Sequence, residues 1–163
     1  MSQPAHAPVL SLEELADRVR AWQQGGLRVA HCHGRFDPLH AGHIMHFEEA
    51  AALADELIVT ITPDRFSNSA PGRPLLTDKL RARTVACIRC VSLVAVNRWP
   101  SALELLEILK PDIYVKGVDY RTMQVDAFVA ERRLADRFGI EVRLTGTPKF
   151  SSTELIEQLR WTA

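Results

Sequence analysis

Short apolar segments rich in β-branched residues alternate with longer amphipathic segments along most of this chain. Five such segments predict strands, at residues 27–32, 57–61, 93–96, 113–115 and 140–144. Near-continuous apolar runs are typical of parallel strands, because helices cover both faces of a parallel sheet. Between them, apolar residues recur three and four positions apart, as in helices that bury one face. This alternation predicts an α/β fold with about five parallel strands.

Helix-capping signals support this division of the chain. Capping boxes, in which a Ser side chain and a Glu three residues later bond each other's backbone N–H groups, are predicted at 11–14 and 101–104. Thr77 is a further predicted N-cap. Residues 1–10 are aperiodic and predict a flexible N-terminal tail, and residues 11–163 predict a single domain without repeats or linkers. The expected architecture is a Rossmann-like, doubly wound sheet with helices on both faces.

Chemically unusual residues follow three of the predicted strands. They occupy segments 33–43, 116–120 and 151–153. In doubly wound sheets, ligands bind beyond the carboxyl ends of the strands, where the strand order reverses. The three segments are therefore expected to converge on one site.

Composition narrows the function classes. Lys plus Arg and Asp plus Glu number 20 each, so the formal net charge is zero. Coating DNA or RNA requires many phosphate-neutralising cations, so no nucleic-acid partner is expected. Five of the six histidines lie between residues 31 and 46.

The three cysteines are too few for a disulfide framework, which favours a reducing compartment. Residues 1–10 lack the features of a secretory signal, and no apolar run approaches the ~18 residues of a membrane span. A soluble, cytoplasmic protein without a membrane partner is expected.

Two histidines are the strongest candidates for chemistry. His40 and His43 lie three residues apart where a helix is predicted to start near Ala41, so both rings project from one turn. A helix N-terminus attracts anions, and two imidazoles there predict a phosphate site. Gly34 would let the backbone approach a ligand, and Gly42 would keep the first turn free of side-chain bulk.

Surface histidines or a zinc site are the alternative readings of this cluster. No Cys or acidic residue is clearly placed to complete a zinc ligand set, so no protein-held metal is predicted. The lone Cys87-Ile88-Arg89-Cys90 motif is interpreted as structural thiols.

Two motifs resemble those of a known superfamily. GRFDPLHAGH, residues 34–43, resembles the G-x-F-D-x-x-H-x-G-H signature of the HxGH-motif nucleotidyltransferases, a cytidylyltransferase-like superfamily. SSTELI, residues 151–156, resembles the C-terminal motif that holds the nucleotide β- and γ-phosphates. Within the superfamily, KPDIYVKGVDY at 110–120 and the Gly72-Arg73-Pro74 stretch are similar to heptose 1-phosphate adenylyltransferases.

This chain departs from that group at several positions. Val118 replaces a glycine, Arg35 replaces a small residue or cysteine, and Pro38 stands where Ile is usual. The loop at 67–70 offers no lysine where the group has one. The base and the acceptor therefore stay open.

The resemblance implies transfer of an NMP group from ATP or CTP to a small acceptor, with release of pyrophosphate. The acceptor would be a sugar phosphate, an alcohol phosphate or a phosphonate, attacking directly in line. Mg²⁺ would bridge the phosphate oxygens, and a homodimer is possible by the same resemblance. Two alternatives are a nucleotide-binding module without turnover and, disfavoured by length and the lack of a KMSKS-like loop, a tRNA synthetase fragment.

The resemblance also implies residue roles, with His40, His43 and Lys116 as the catalytic set. The predicted nucleotide-binding residues are Gly34, Arg35, Phe36, Asp37, Gly42, Asp119, Ser151, Ser152 and Thr153, and the predicted acceptor ligands are Arg73 and Arg81. A solvated strand-end charge is the alternative for Lys116, and an ordinary N-cap is the alternative for residues 151–153. His31, His33 and His46 are expected to be structural or to support the catalytic pair.

Overall fold

In the part of the chain that the structure describes, six parallel strands form one sheet in the order β1-β4-β3-β2-β5-β6. The strands are β1 (Val9–Leu10), β2 (Val29–Gly34), β3 (Glu56–Ile61), β4 (Leu93–Val96), β5 (Ile113–Lys116) and β6 (Glu141–Leu144). The structure is a computed structural model, and it describes residues 6–68, 70–118 and 126–146. The predicted α/β, Rossmann-like fold is confirmed, with six strands instead of about five.

The helices cover both faces of this sheet. They are α1 (Leu12–Gln24), α2 (Ala41–Ala51), α3 (Asp78–Ala86), α4 (Leu103–Leu109) and α5 (Asp126–Phe138), with a 3-10 turn at Asp64–Phe66. The predicted capping box at Ser11 and Glu14 is present at the start of α1, and Thr77 caps α3 as predicted.

The second predicted capping box is wrong by one residue. Helix α4 begins at Leu103 with Ala102 as its N-cap, and Ser101 Oγ accepts only a long bond of 3.4 Å from the Leu103 N–H. A carboxylate oxygen of Glu131 in α5 accepts the Ala102 N–H at 2.9 Å. A tertiary contact therefore satisfies the start of this helix in place of the local side chains.

The sixth strand lies inside the predicted N-terminal tail. Val9 and Leu10 pair with Val94 and Ala95 of β4, and the Ala7 N–H donates to Ala86 O at 2.8 Å. The predicted tail boundary at residue 10 is therefore too late. Two residues are too few to show an alternating apolar pattern. This strand is defined by its pairing with β4, which lies far along the chain.

The strand order reverses at β2. The chain runs from β2 through β3 to β4 on one side, and β5 then returns to the other side of β2. The carboxyl ends of β2 and β5, at Gly34 and Lys116, thus flank the crevice where doubly wound sheets bind ligands.

Two apolar clusters flank the sheet. Helices α2 and α3 pack on one face, around Phe47 and Val85, and helices α1, α4 and α5 pack on the other, around Leu15, Leu106 and Ala135. Among the described residues, no helix is long and apolar enough to cross a bilayer.

Replacing Leu106 with Ala should destabilise the fold by about 2–5 kcal/mol, because its side chain is fully buried and would leave a cavity. Ile108 is the matched control, since it lies in the same helix and is 42% exposed. Urea unfolding of both variants measures the difference. An equal loss in the two variants would contradict the placement of α4.

Candidate active site

The two catalytic candidates meet at the start of α2. The loop after β2, residues 35–40 (the site loop), ends at His40, which is the N-cap of the helix in an extended conformation. The rings of His40 and His43 stack with their centroids 3.7 Å apart and their planes 19° from parallel. One helical turn thus presents both imidazoles together, as their spacing implies.

Phe36 fixes the position of this pair. Its φ of 51° lies in the left-handed region, which is costly for a bulky side chain and typical of functional loops. A Cβ on Gly34 would lie 2.8 Å from the tip of the Phe36 ring, so only glycine fits there. The ring packs edge-on against His43 and Phe47, with centroids 5.0 Å away in each case.

Both imidazoles are neutral in the unliganded protein near neutral pH. Burial lowers the pKa of His43 to about 3, with smaller contributions from His40 and His46. Burial also lowers the pKa of His40. A neutral imidazole donates one N–H hydrogen bond, so the pair can donate to a phosphate without bringing fixed positive charge.

Asp37 joins the site loop to the segment between β3 and α3, residues 62–76 (the crossing loop). Its carboxylate accepts the N–H groups of Leu75 and Leu76 at 2.8–3.0 Å and pairs with Arg73 at 3.0 Å. Burial alone would raise the pKa of Asp37, but these bonds outweigh it and the pKa is lowered. The two loops are therefore held together by a buried, ionised carboxylate.

Arg81 reinforces the same junction. Its side chain is fully buried and donates to Arg35 O at 2.6 Å, Leu76 O at 2.9 Å and Asp64 Oδ1 at 2.7 Å. The structure therefore places Arg73 and Arg81 as braces of the loops, and this geometry does not support the predicted direct contact with an acceptor. The Arg35 side chain, in contrast, is exposed.

Lys116 lies at the end of β5 with its side chain only 6% exposed. Its Nζ is 3.4 Å from Glu131 Oε2 and 5.3 Å from the centre of the Tyr114 ring. This burial is inconsistent with a solvated strand-end charge. Its charge reaches β2, since it contributes to lowering the pKa values of His31 and His33.

A buried polar cluster beside Lys116 is a feature that the sequence interpretation missed. Thr60 Oγ1 bonds His31 Nε2 at 2.8 Å and His33 Nδ1 at 2.9 Å. Burial, followed by the charge of Lys116, lowers the pKa of His31 to about 3. The sequence feature that could have revealed this cluster is the hydroxyl of Thr60 within the otherwise apolar β3. Thr60 pairs with His33 of the neighbouring strand β2.

His46 supports the site from the next turn of α2. Its Nδ1 lies 2.9 Å from Thr145 Oγ1, and the Thr145 N–H donates to Lys116 O at 2.9 Å. The helix that presents the histidine pair is thereby tied to the ends of β5 and β6.

Several predicted residues lie outside the described part of the chain. They are Asp119, Ser151, Ser152 and Thr153. Gly42 is buried in the first turn of α2. Within the described ranges, no group of three or more His, Cys, Asp or Glu side chains could hold a metal ion.

Comparisons with known proteins bear on the family of this chain. A family model described as cytidylyltransferase-like matches residues 31–158. The chain is 35% identical over 157 residues to the bifunctional protein HldE of Koribacter versatilis, covering 94% of this chain and 32% of that protein. It is 38% identical over 119 residues to the bifunctional protein HldE of Azorhizobium caulinodans, covering 72% of this chain and 25% of that protein. The chain thus spans a quarter to a third of the length of these relatives.

A solved structure shares the fold. A lipopolysaccharide core biosynthesis protein from Thermoplasma volcanium superposes with a TM-score of 0.62 at 24% identity, covering 77% of this chain and 100% of that chain. The predicted resemblance to the nucleotidyltransferases is confirmed at the level of the family.

Replacing Asp37 with Asn should lower the free energy of unfolding by about 1–3 kcal/mol at pH 7, because an amide cannot accept every bond that the carboxylate accepts. The lowered pKa of Asp37 stabilises the fold above its unfolded value near 3.9, and this stabilisation is lost as the pH falls through the folded value. Stability should therefore fall less steeply below about pH 4 in the variant.

Urea unfolding across this pH range measures both effects. Asp17→Asn is the control, because that carboxylate is 74% exposed and pairs only with a neighbour on its own helix. Matching acid profiles for Asp37→Asn and the wild type would contradict the role of Asp37 at the loop junction.

The His43 ring should not titrate between about pH 5 and pH 8, because burial holds its pKa near 3. Histidine NMR measures this directly, with a His43→Gln variant to assign the resonance. Since the unfolded chain takes up this proton near 6.5, acidification below that pH should also destabilise the fold. A midpoint near 6.5 for His43 would show that the ring is solvated.

Proposed function

The chain belongs to the cytidylyltransferase-like family, and on that premise we propose that it transfers an NMP group from ATP or CTP to a small phosphorylated or phosphonate acceptor, releasing pyrophosphate. The observation that carries the proposal is the stacked His40–His43 pair at the point of strand reversal. Doubly wound sheets bind their ligands there.

The reaction is a direct displacement at the α-phosphorus of the nucleotide. A phosphate or phosphonate oxygen of the acceptor forms the new P–O bond, and the bond from the α-phosphorus to the bridging oxygen breaks. Pyrophosphate leaves with the electron pair. Such transfers depend mainly on positioning and electrostatics, so no covalent enzyme intermediate is required.

The two imidazoles would stabilise the charge that develops in this step. Both are held before substrate arrives, by ring stacking and, for His43, by contact with Phe36. Preorganised donors are effective because they do not have to reorient as the charge moves. Neutral rings suit this task, since their N–H groups respond to the phosphate oxygens without a competing counterion.

The remaining phosphate contacts are assigned to Lys116 and to the predicted motif at 151–153. Lys116 would supply a point charge from the other side of the strand reversal. Mg²⁺ supplies charge neutralisation to a triphosphate and is commonly bound through the phosphates themselves.

ATP with a sugar 1-phosphate is the first substrate pair to test. Residues 110–120 and the Gly72-Arg73-Pro74 stretch carry the similarity to heptose 1-phosphate adenylyltransferases. Alcohol phosphates and phosphonates are the other acceptors to test. CTP is tested beside ATP, because the residues that would recognise the base lie in no assigned motif.

One observation favours a second candidate, a nucleotide-binding module without turnover. The crossing loop has no lysine at 67–70, and Arg73 is engaged by Asp37. In that case the cations of this loop would stabilise the loop, and none of them would bind the phosphate of an acceptor.

Pyrophosphate release, recorded with each NTP and acceptor in the presence of Mg²⁺, tests the proposal. His40→Ala and His43→Ala should each lower kcat by about 100-fold or more, the effect of losing one preorganised donor. His6→Ala is the control, since it makes the same change far along the chain from the site. Circular dichroism checks that the variants fold.

Two outcomes would count against catalysis. The binding module would be supported if no pyrophosphate were released from ATP or CTP with any acceptor while the nucleotide still raised the thermal stability of the protein. Wild-type rates in both histidine variants would contradict the mechanism.

A further inference from the structure

A buried carboxylate lies against the predicted catalytic lysine, and no motif identified it. Glu131 is 3% exposed and sits in the middle of α5. Its side chain and that of Lys116 are 4% and 6% exposed, with Oε2 and Nζ 3.4 Å apart. Burying two charges is costly, so such a pair calls for a specific explanation.

Two scaffold donors hold the carboxylate independently of the lysine. The Ala102 N–H donates to Oε1 at 2.9 Å, and the Tyr114 hydroxyl donates to Oε2 at 3.0 Å. Both donors belong to buried parts of the core, one at the start of α4 and one in β5. The contact to Lys116 is the longest of the three, beyond the usual 2.7–2.9 Å of a charge-assisted bond.

These contacts make Glu131 an anchored counterion. Its carboxylate is held by neutral donors on two other elements, and from that fixed position it lies 3.4 Å from the Lys116 ammonium. Lys116 ends β5 beside the strand reversal, one residue beyond Val115, which pairs with Cys32 of β2.

We propose that Glu131 is a positioning residue that holds the Lys116 ammonium at the nucleotide crevice, where a phosphate oxygen shares it when nucleotide binds. The inference deepens the proposed function and rests on it for the identity of the phosphate. Tyr114 contributes through its hydroxyl, which fixes the carboxylate, and through its ring, which lies under the ammonium.

Lysine NMR tests the positioning without any turnover. The sequence contains only four lysines, at 79, 110, 116 and 149, so each ammonium signal can be assigned by substitution. In the wild type, the Lys116 ammonium should show restricted motion compared with the exposed Lys79 and Lys110. In Glu131→Gln it should become as mobile as theirs, and in Tyr114→Phe the restriction should weaken in part.

Nucleotide affinity tests the link to the site. Calorimetry with a non-hydrolysable ATP or CTP analogue should show Glu131→Gln binding about tenfold more weakly, the scale of one charge-assisted hydrogen bond. A Lys116→Met and Glu131→Gln double variant should bind no more weakly than Lys116→Met alone, because Glu131 acts through the lysine. Asp136→Asn, an exposed change on the same helix, should match the wild type.

The outcomes separate this inference from the proposed function. Additive losses in the double variant, or a Lys116 ammonium that stays restricted in Glu131→Gln, would overturn the positioning role. If Glu131→Gln does not fold, Tyr114→Phe decides by the same two measurements. If the double variant shows the expected non-additive loss of nucleotide affinity but the protein releases no pyrophosphate, the positioning role stands and the proposed turnover is rejected.

Discussion

The reversal of strand order at β2 is the constraint on which the rest of the site depends. Because β3 pairs with one edge of β2 and β5 with the other, the segments leaving these strands diverge to opposite faces of the sheet. The site loop leads to α2 on one face, while Lys116 points into the face covered by α5. In doubly wound sheets a crevice forms at such a point, between connections that leave for opposite faces. The stacked imidazoles and the Lys116 ammonium therefore approach it from two sides, although His40 and Lys116 are 76 positions apart in the sequence.

Among the described residues, the cations that brace the loops are distinct from the groups proposed to bind phosphate. The Arg81 side chain is fully buried and that of Arg73 is 13% exposed, and both donate to loop backbone and carboxylates. The histidine pair is kept neutral by burial, so neither ring repels the other or attracts a competing anion. Positive charge at the crevice is then concentrated in a few groups, with Lys116 held by Glu131. This explains how a chain with zero net charge is compatible with a phosphate site.

The sequence predicted the elements that depend on local patterns of residues. It did not predict features that depend on contacts between residues far apart in the chain. Apolar runs and caps located five strands and the start of α1, because those signals lie within a few residues of the element they define. The HxGH spacing placed both histidines on one turn for the same reason. The edge strand β1, the start of α4 and the role of Arg81 depend on partners far along the chain, so no local signal marked them. Glu131 shows this most clearly, since the structure buries this charged residue in α5 together with the apolar Phe128 and Ala135.

The Asp37 junction links the crossing loop to the histidine pair. Asp37 accepts two backbone N–H groups of the crossing loop and pairs with Arg73. Asp37 lies three residues before His40 and next to Phe36, whose ring packs against His43. The carboxylate that holds the crossing loop therefore also fixes the segment that positions the histidine pair. A substitution in the crossing loop that weakens the Asp37 contacts is therefore expected to displace the histidine pair as well, because only Pro38 and Leu39 lie between Asp37 and His40.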